Sequence, residues 1–140
     1  MAYNESIVSI SLKADSSVAV YTGVPGLPGS TDPNGGFQYR FVKVTGNSTC
    51  GLADQTAAEI PVGVLQNKPQ VVNAAATVAI SGVTLVELGG TVDAGEGVQN
   101  DEDGKGISAV GGGEDPVLGV ALQGGSAGQV VPVLLRGQSF

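Results

Sequence analysis

The chain has 140 residues, a formal net charge of −7, no histidine and a single cysteine, Cys50. Its six basic residues are scattered, which argues against binding to nucleic acid or anionic lipid, and one cysteine cannot form an internal disulfide. The absence of histidine removes the commonest general base and transition-metal ligand, and an aromatic content of only 4% predicts a core of Val, Leu, Ile and Ala.

The N-terminal region, residues 1–36, is predicted to hold two strands and a long loop. Ser6–Leu12 and Val18–Thr22 are rich in residues that favour strands. Gly23–Gly36 carries three of the seven prolines and five glycines, so it cannot support regular strand pairing and is predicted as a surface loop. Two interpretations of this loop stay open, a tolerated insertion and a contact loop, because loops of this length are often functional.

Residues 37–140 are predicted to form a β-rich body, because short Val-rich runs alternate with Gly, Asn or Asp. Phe37–Val44 is predicted as one strand with Phe37, Tyr39 and Phe41 on a single face, from the two-residue period of strands. Leu52–Ile60 is predicted as a loop or a short helical turn. The other predicted strands are Ile60–Leu65, Ala76–Ile80, Val83–Leu88, Gly97–Gln99, Gly106–Val110, Val117–Leu122 and Val130–Leu135.

The body is predicted to contain two repeats, at about residues 37–82 and 97–140, joined by a linker. Gly63 recurs as Gly119 and Gly51 as Gly106, at a nearly constant spacing along the chain. One such unit has an apolar face and two open edges, so packing against its twin would complete the core. The predicted fold is all-β, a small β-barrel or sandwich built from two pseudo-repeated strand units with an extended N-terminal arm. Chance recurrence in a Gly/Val-rich chain is the alternative.

The acidic stretch Asn100–Gly106 is the strongest candidate for a metal loop. Asp101 and Asp103 before Gly104 are typical of calcium loops, but Val110 stands where such a loop needs its last carboxylate. An Asp-Gly pair between strand-like runs instead indicates a hairpin turn.

The remaining motifs predict no chemistry. Residues 111–115 and 124–129 are Gly-rich but lack the Lys and the helix of a phosphate-binding loop, so they are predicted as turns. Cys50 has no histidine partner and is predicted to be inert. The carboxylates that an enzyme would need lie in a Gly-rich segment with no reason to converge: Glu87, Asp93 and Glu96. The sequence therefore predicts no enzyme, no metal and no cofactor.

Several short motifs, taken in order, resemble one known family. They are MAYNESIVSISL at residues 1–12, QYRFVKVTG at 38–46, PVGVLQNKP at 61–69, ATVAISGV at 76–83, DEDGKG at 101–106 and PVLGVAL at 116–122. Except at residues 23–36, the chain is similar to the small capsid decoration, or cement, proteins of tailed bacteriophages. The resemblance implies a β-rich homotrimer that is made in the host cytoplasm and binds the outer surface of the mature head. There it would bridge copies of the major capsid protein.

Neither nucleic acid nor a membrane is expected as a partner, because the six basic residues form no basic patch. A receptor-binding or fibre-associated β module of the virion is the alternative function. Contacts with the capsid are predicted at the N-terminal arm and the Pro-Gly loop. The arm could add to a sheet edge by main-chain pairing, or it could be an edge strand of the protein's own barrel. The candidate contact residues are Tyr3, Asn4, Glu5, Ile7, Val8, Ile10, Pro25, Leu27 and Pro28.

Overall fold

The computed structural model describes residues 7–20, 37–55, 59–109 and 117–135, and these ranges contain β-strands and no helix. Accordingly, none of the described segments is a helix that would be long and apolar enough to cross a membrane. The all-β prediction is confirmed. In chain order the strands are β1 (Val8–Ala14), β2 (Phe41–Gly46), β3 (Thr49–Leu52), β4 (Pro61–Leu65), β5 (Ala75–Glu87), β6 (Gly97–Asn100), β7 (Gly106–Ser108), β8 (Gly119–Ala121) and β9 (Val130–Leu135).

Five strands close on themselves into a small barrel. Their order is β1-β3-β2-β4-β5, and β1 pairs with β5 to complete the circuit. β1 is parallel to β3 and antiparallel to β5. The prediction of a small β-barrel is confirmed, and closure removes most of the edges that an open sheet of this size would expose.

A second sheet is built on the other half of β5. Its order is β5-β9-β8-β6-β7, and Leu88 forms a parallel bridge to Gly106 at the start of β7. Ala75–Ser81 pairs with β1, whereas Gly82–Glu87 pairs with β9. Gly82 lies where β5 changes partner and has a φ of 93°, which glycine adopts without steric cost. One long strand therefore belongs to both sheets.

The two sheets repeat the same connections. β2 pairs with β3 and β4, and β4 pairs with β5; likewise β6 pairs with β7 and β8, and β8 pairs with β9. Single hydrogen bonds recur as well. The Ala74 N–H donates to the Val71 carbonyl at 3.1 Å, and at the matching place in the repeat the Gln129 N–H donates to the Ser126 carbonyl at 3.0 Å. We name β1–β4 with the first half of β5 the first unit, and the second half of β5 with β6–β9 the second unit.

Three positions that correspond between the described parts of the two units take left-handed backbone angles in both. The second unit fills all three with glycine, which adopts positive φ freely, whereas the first unit carries larger residues there. In the first unit the surrounding structure must therefore impose the same path on the backbone. The corresponding pairs, with φ between 53° and 87°, are Tyr39 and Gly95, Ser48 and Gly104, and Asn73 and Gly128.

A glycine at the same place in each unit lets two strands approach closely. Gly63 lies in β4 opposite β2, and Gly119 lies in β8 opposite β6. A Cβ at Gly63 would overlap the carbonyl oxygen of Ala79, and one at Gly119 would lie 2.7 Å from the carbonyl oxygen of Leu134. The Gly63–Gly119 correspondence in the sequence therefore reflects the same packing in both units.

The interior is mainly aliphatic, as the composition predicts, although it also contains the aromatic side chains of Phe37 and Phe41. One cluster of buried residues fills the β1-β3-β2-β4-β5 barrel. Another fills the second unit and continues into the first unit through Phe41, Ala53, Val64 and Ala79. Burial of each large apolar side chain stabilises the fold by about 1.5–3 kcal/mol. An interior that contains residues of both units therefore couples the stability of one unit to that of the other. The cluster inside the barrel comprises Ala14, Val18, Ala19, Val42, Cys50, Leu65, Ala76 and Val78.

The predicted strand Val18–Thr22 is wrong over its described residues. Val18, Ala19 and Val20 are buried but form a turn, because the N–H groups of Val18 and Ala19 donate to the carbonyl of Asp15 at 3.3 and 3.1 Å. Asp and Ser side chains before this run offer the backbone local hydrogen bonds in place of a sheet.

The single strand predicted at Phe37–Val44 is also wrong in its first half. β2 begins only at Phe41, because Tyr39 has a φ of 70° and the Arg40 N–H donates to the Phe37 carbonyl at 3.2 Å. The three aromatic residues therefore do not share one strand face.

The predicted linker 82–97 is wrong over Gly82–Glu87, which belong to β5. The predicted correspondence of Gly51 with Gly106 is wrong by one residue. Gly106 pairs with Asn100 in the second unit, and the equivalent pair in the first unit is Cys50 with Val44. Gly106 therefore corresponds to Cys50.

Ala76–Ile80 and Val83–Leu88, predicted as two strands, form the single strand β5. Val130–Leu135 is observed with the predicted bounds, and the remaining predicted strands are observed with shifted bounds. Residues 23–36 lie outside the described ranges, and the described part of 52–60 contains no helix.

Candidate interaction surface

β1 and the residue just before it carry the described part of the predicted contact surface. Ile7, Val8 and Ile10 expose 42%, 51% and 39% of their surface. β1 pairs with β5 along its length, but with β3 only at its last two residues. In the part of the chain that is described, the other edge of β1 as far as Leu12 therefore has no strand partner. Such an edge can accept an extended segment by main-chain hydrogen bonding.

β1 is thus a strand of the protein's own barrel, one of the two alternatives that the sequence left open. Its contact with a capsid stays a prediction, because the free edge permits an additional strand without requiring one. The other predicted contact residues lie outside the described ranges: Tyr3, Asn4, Glu5, Pro25, Leu27 and Pro28.

A second exposed apolar surface lies on the outer face of the second sheet, and we name it the outer apolar patch. The register of β5 with β9 places three exposed side chains on this face, and Leu122 joins them because its N–H donates to the Pro132 carbonyl at 2.9 Å. Each of the four is between 39% and 44% exposed. Sequence reasoning missed the patch because every residue of β9 is apolar, so no alternation separates its buried from its exposed side. Contiguous exposed apolar residues of this kind mark interaction surfaces. The patch comprises Leu85, Leu122, Val130 and Leu134.

The acidic stretch forms the hairpin turn between β6 and β7. A carboxylate oxygen of Asp101 accepts hydrogen bonds from the N–H groups of Asp103 and Lys105, both at 2.9 Å. Gly104 takes a φ of 74° in this turn. The Asp101 carboxylate therefore stabilises the turn, as the Asp-Gly pair indicates. In the described ranges no group of three or more His, Cys, Asp or Glu is arranged to hold a metal ion.

A buried ion pair joins the two units. Arg40, only 8% exposed, places Nη2 3.0 Å from Oε2 of Glu87, and Nζ of Lys105 lies 3.7 Å from the same oxygen. Arg40 Nη1 donates to the Asp103 carbonyl at 3.4 Å, and the guanidinium lies 4.3 Å from the centre of the Phe37 ring. Since these groups come from both units, the ion pair helps to fix how the units meet.

Two of the carboxylates considered for an enzyme, Glu96 and Asp93, are hydrogen-bonded neighbours, and Glu87 has a separate partner. Glu87 is held by Arg40, whereas Glu96 accepts a hydrogen bond from the Ser108 hydroxyl, which lowers the pKa of its carboxyl, as does a backbone hydrogen bond with Asp93. The thiol of Cys50 is fully buried, and burial raises its pKa to about 11, as does, to a smaller extent, the charge of Asp15. A thiol in this state is a poor nucleophile near neutral pH.

The architecture defined by these strands is an all-β tandem of two small sheets that share one strand. No protein-family profile matches the sequence, and no curated protein sequence matches it. Among solved structures, the chain is similar to the head fiber gp8.5 N base of bacteriophage phi29, with a TM-score of 0.63 and 16% sequence identity. The similarity covers 96% of this chain and 98% of that chain. At this identity the comparison shows the fold alone.

Proposed function

We propose that the protein is a non-enzymatic structural component of a bacteriophage virion, bound to the outside of the head. The observation that carries this proposal is the fold similarity to a phage head fibre base along nearly the whole of both chains. The resemblance of its ordered sequence motifs to phage cement proteins supports the same class. A net charge of −7 suits a protein that stays outside the DNA-filled shell.

In the first form of this proposal the protein is a decoration protein that bridges copies of the major capsid protein. The free edge of β1 offers main-chain pairing to a capsid strand, and the outer apolar patch offers area for burial. Assembly as a homotrimer would let three weak contacts act together, which raises avidity without new contacts.

In the second form the protein is the base of a head fibre. The specific observation in its favour is that the similar phi29 structure is a fibre base and that the match spans 98% of it. Such a base needs one surface for the shell and another for the rest of the fibre, and the edge of β1 and the outer apolar patch provide two separate surfaces.

Binding to heads tests the proposal. Purified protein is sedimented with expanded heads that lack surface proteins, taken from the phage that encodes it, and with unexpanded heads as a comparison. We expect stoichiometric co-sedimentation with expanded heads. Replacing Val8 and Ile10 together by Asp should weaken binding at least about tenfold, because charges would enter an apolar contact. Ile60→Asp, at a residue that is 41% exposed outside β1, is the matched control.

Absence of binding to heads, together with absence of the protein from purified virions by mass spectrometry, would refute both forms. A reconstruction of saturated heads separates them. A decoration protein should cover the shell in a fixed ratio to the capsid protein, whereas a fibre base should occupy fewer sites and carry further density that extends from the shell.

A further inference from the structure

Because the two units are equivalent, the contact between them identifies the equivalent surfaces at the two ends of the molecule, where no further unit of the described chain is packed. Arg40 of the first unit meets Glu87 at the start of the second unit. The position equivalent to Arg40 in the second unit is Glu96, because the Leu65 N–H donates to the Arg40 carbonyl at 2.9 Å and the Ala121 N–H donates to the Glu96 carbonyl at 2.9 Å. The spacing from Arg40 to Glu96 along the chain equals the spacing from Leu65 to Ala121.

The position equivalent to Glu87 in the first unit is Lys13. Lys13 of β1 pairs with Ala75 of β5, and Glu87 of β5 pairs with Val130 of β9. Ala75 and Val130 are equivalent, because they directly follow Ala74 and Gln129, which make the same backbone hydrogen bond in the two units. The junction inside the chain thus has counterparts at its two free ends: Lys13 on the first unit and Glu96 on the second.

At the free ends the acidic and basic positions are swapped relative to the internal junction. The internal junction pairs a basic residue on the first unit with an acidic residue on the second. The free ends place an acidic residue, Glu96, where Arg40 stands and a basic residue, Lys13, where Glu87 stands. We propose that the protein associates head to tail with a second copy, in which Lys13 of one copy pairs with Glu96 of the next.

The hairpin tips support the same contact. Gly104, at the tip of the β6–β7 hairpin, is buried against the first unit, and its carbonyl accepts a hydrogen bond from the Phe41 N–H at 2.7 Å. The equivalent tip residue of the first unit, Ser48, is exposed, and its carbonyl accepts a hydrogen bond from the Lys13 N–H of the same chain at 2.8 Å. Close to that tip, Val44 is 51% exposed. A second copy would cover this hairpin as the first unit covers its twin.

The contact uses different surfaces on the two partners, so it produces a ring or an open chain and never a symmetric pair. Sedimentation velocity over a concentration series measures it. We expect wild-type association that weakens as salt is raised, because exposed charges are screened. Lys13→Glu and Glu96→Lys should each raise the dissociation constant at least about tenfold, since each places like charges opposite one another.

An equimolar mixture of the two variants should associate again, at least into mixed dimers and alternating open chains, because each contact between different variants then brings one acidic and one basic position together. Lys68→Glu and Glu102→Lys, both at exposed positions, make the same charge changes elsewhere and should leave association unchanged. Circular dichroism verifies that every variant is folded. A protein that stays monomeric, an assembly that both variants preserve, or a mixture that does not associate would each overturn the proposal.

Discussion

The substitution Gly63→Ala tests whether the close approach of β4 to β5 requires a residue without a side chain. The new Cβ would overlap the Ala79 carbonyl oxygen, and it would lie 2.9 Å from the carbonyl carbon and 2.8 Å from a methyl group of Val78. Favourable contacts between carbon atoms begin at about 3.5 Å, so β4 and β5 must separate by about 1 Å.

That separation sets the size of the effect. It disturbs the pairing of Val64 with Ala79 and of Leu65 with Val78, where each backbone hydrogen bond is worth about 1 kcal/mol. Overpacking adds about 1–3 kcal/mol, so Gly63→Ala should lower the free energy of unfolding by about 3 kcal/mol and Tm by about 10 °C. Gly119→Ala should cost about 2–3 kcal/mol, because its Cβ meets the same kind of carbonyl.

Urea and thermal unfolding, followed by circular dichroism, measure both variants. Gly46→Ala is the matched control, since its Cβ would lie 3.6 Å and 3.8 Å from the nearest atoms, both on Thr49, an ordinary contact distance. We expect that control to change the free energy of unfolding by less than about 1 kcal/mol, with a gain as its expected direction. If Gly63→Ala and Gly119→Ala unfold with the midpoint of Gly46→Ala, the reasoning from close strand approach is wrong.

Three further predictions concern single side chains. Arg40→Ala should lower the free energy of unfolding in urea by about 3 kcal/mol, because the carboxylate of Glu87 would lose its main partner; a loss below about 1 kcal/mol would contradict this. Because burial raises the pKa of Cys50 to about 11, iodoacetamide should label it slowly in native protein and rapidly in urea; equal rates would contradict its burial. The pKa of Lys43 is raised above 10.5 chiefly by its bond to Glu59, so this contribution to stability is present below that value and is lost as pH rises through the folded pKa. Lys43→Met should therefore flatten the alkaline decline in stability, and an unchanged pH profile would count against the ion pair.

The fold class could be predicted because it depends on patterns that a single sequence carries. Val-rich runs bounded by Gly and Asp mark strands, and the β6–β7 turn at Asp103-Gly104 follows from local chemistry alone. The errors lie where tertiary structure imposes the backbone angles. Tyr39 takes a left-handed angle although its neighbours favour a strand, and Gly82 continues a strand although glycine more often ends one.

The contact surfaces could be predicted only in part. Ile7, Val8 and Ile10 could be proposed because they lie in a strand-forming arm, but the free edge beside them depends on β3, which pairs only with the last two residues of β1. The outer apolar patch has no sequence signal, because both faces of β9 are apolar. The ion pair of Arg40 with Glu87 joins residues that are far apart in sequence, so only the closed fold brings them together.

The shared strand has a consequence for a protein proposed to grip a large assembly. β5 continues from one unit into the next, and the junction adds a buried ion pair and a hydrogen bond from Phe41 to Gly104. Relative motion of the units would have to break these interactions together. The edge of β1 and the outer apolar patch are therefore held at a fixed spacing, and rigid spacing is what allows several weak contacts to be made at once. If the proposed function is correct, this fixed spacing would let two chemically plain units support binding that neither surface would support alone.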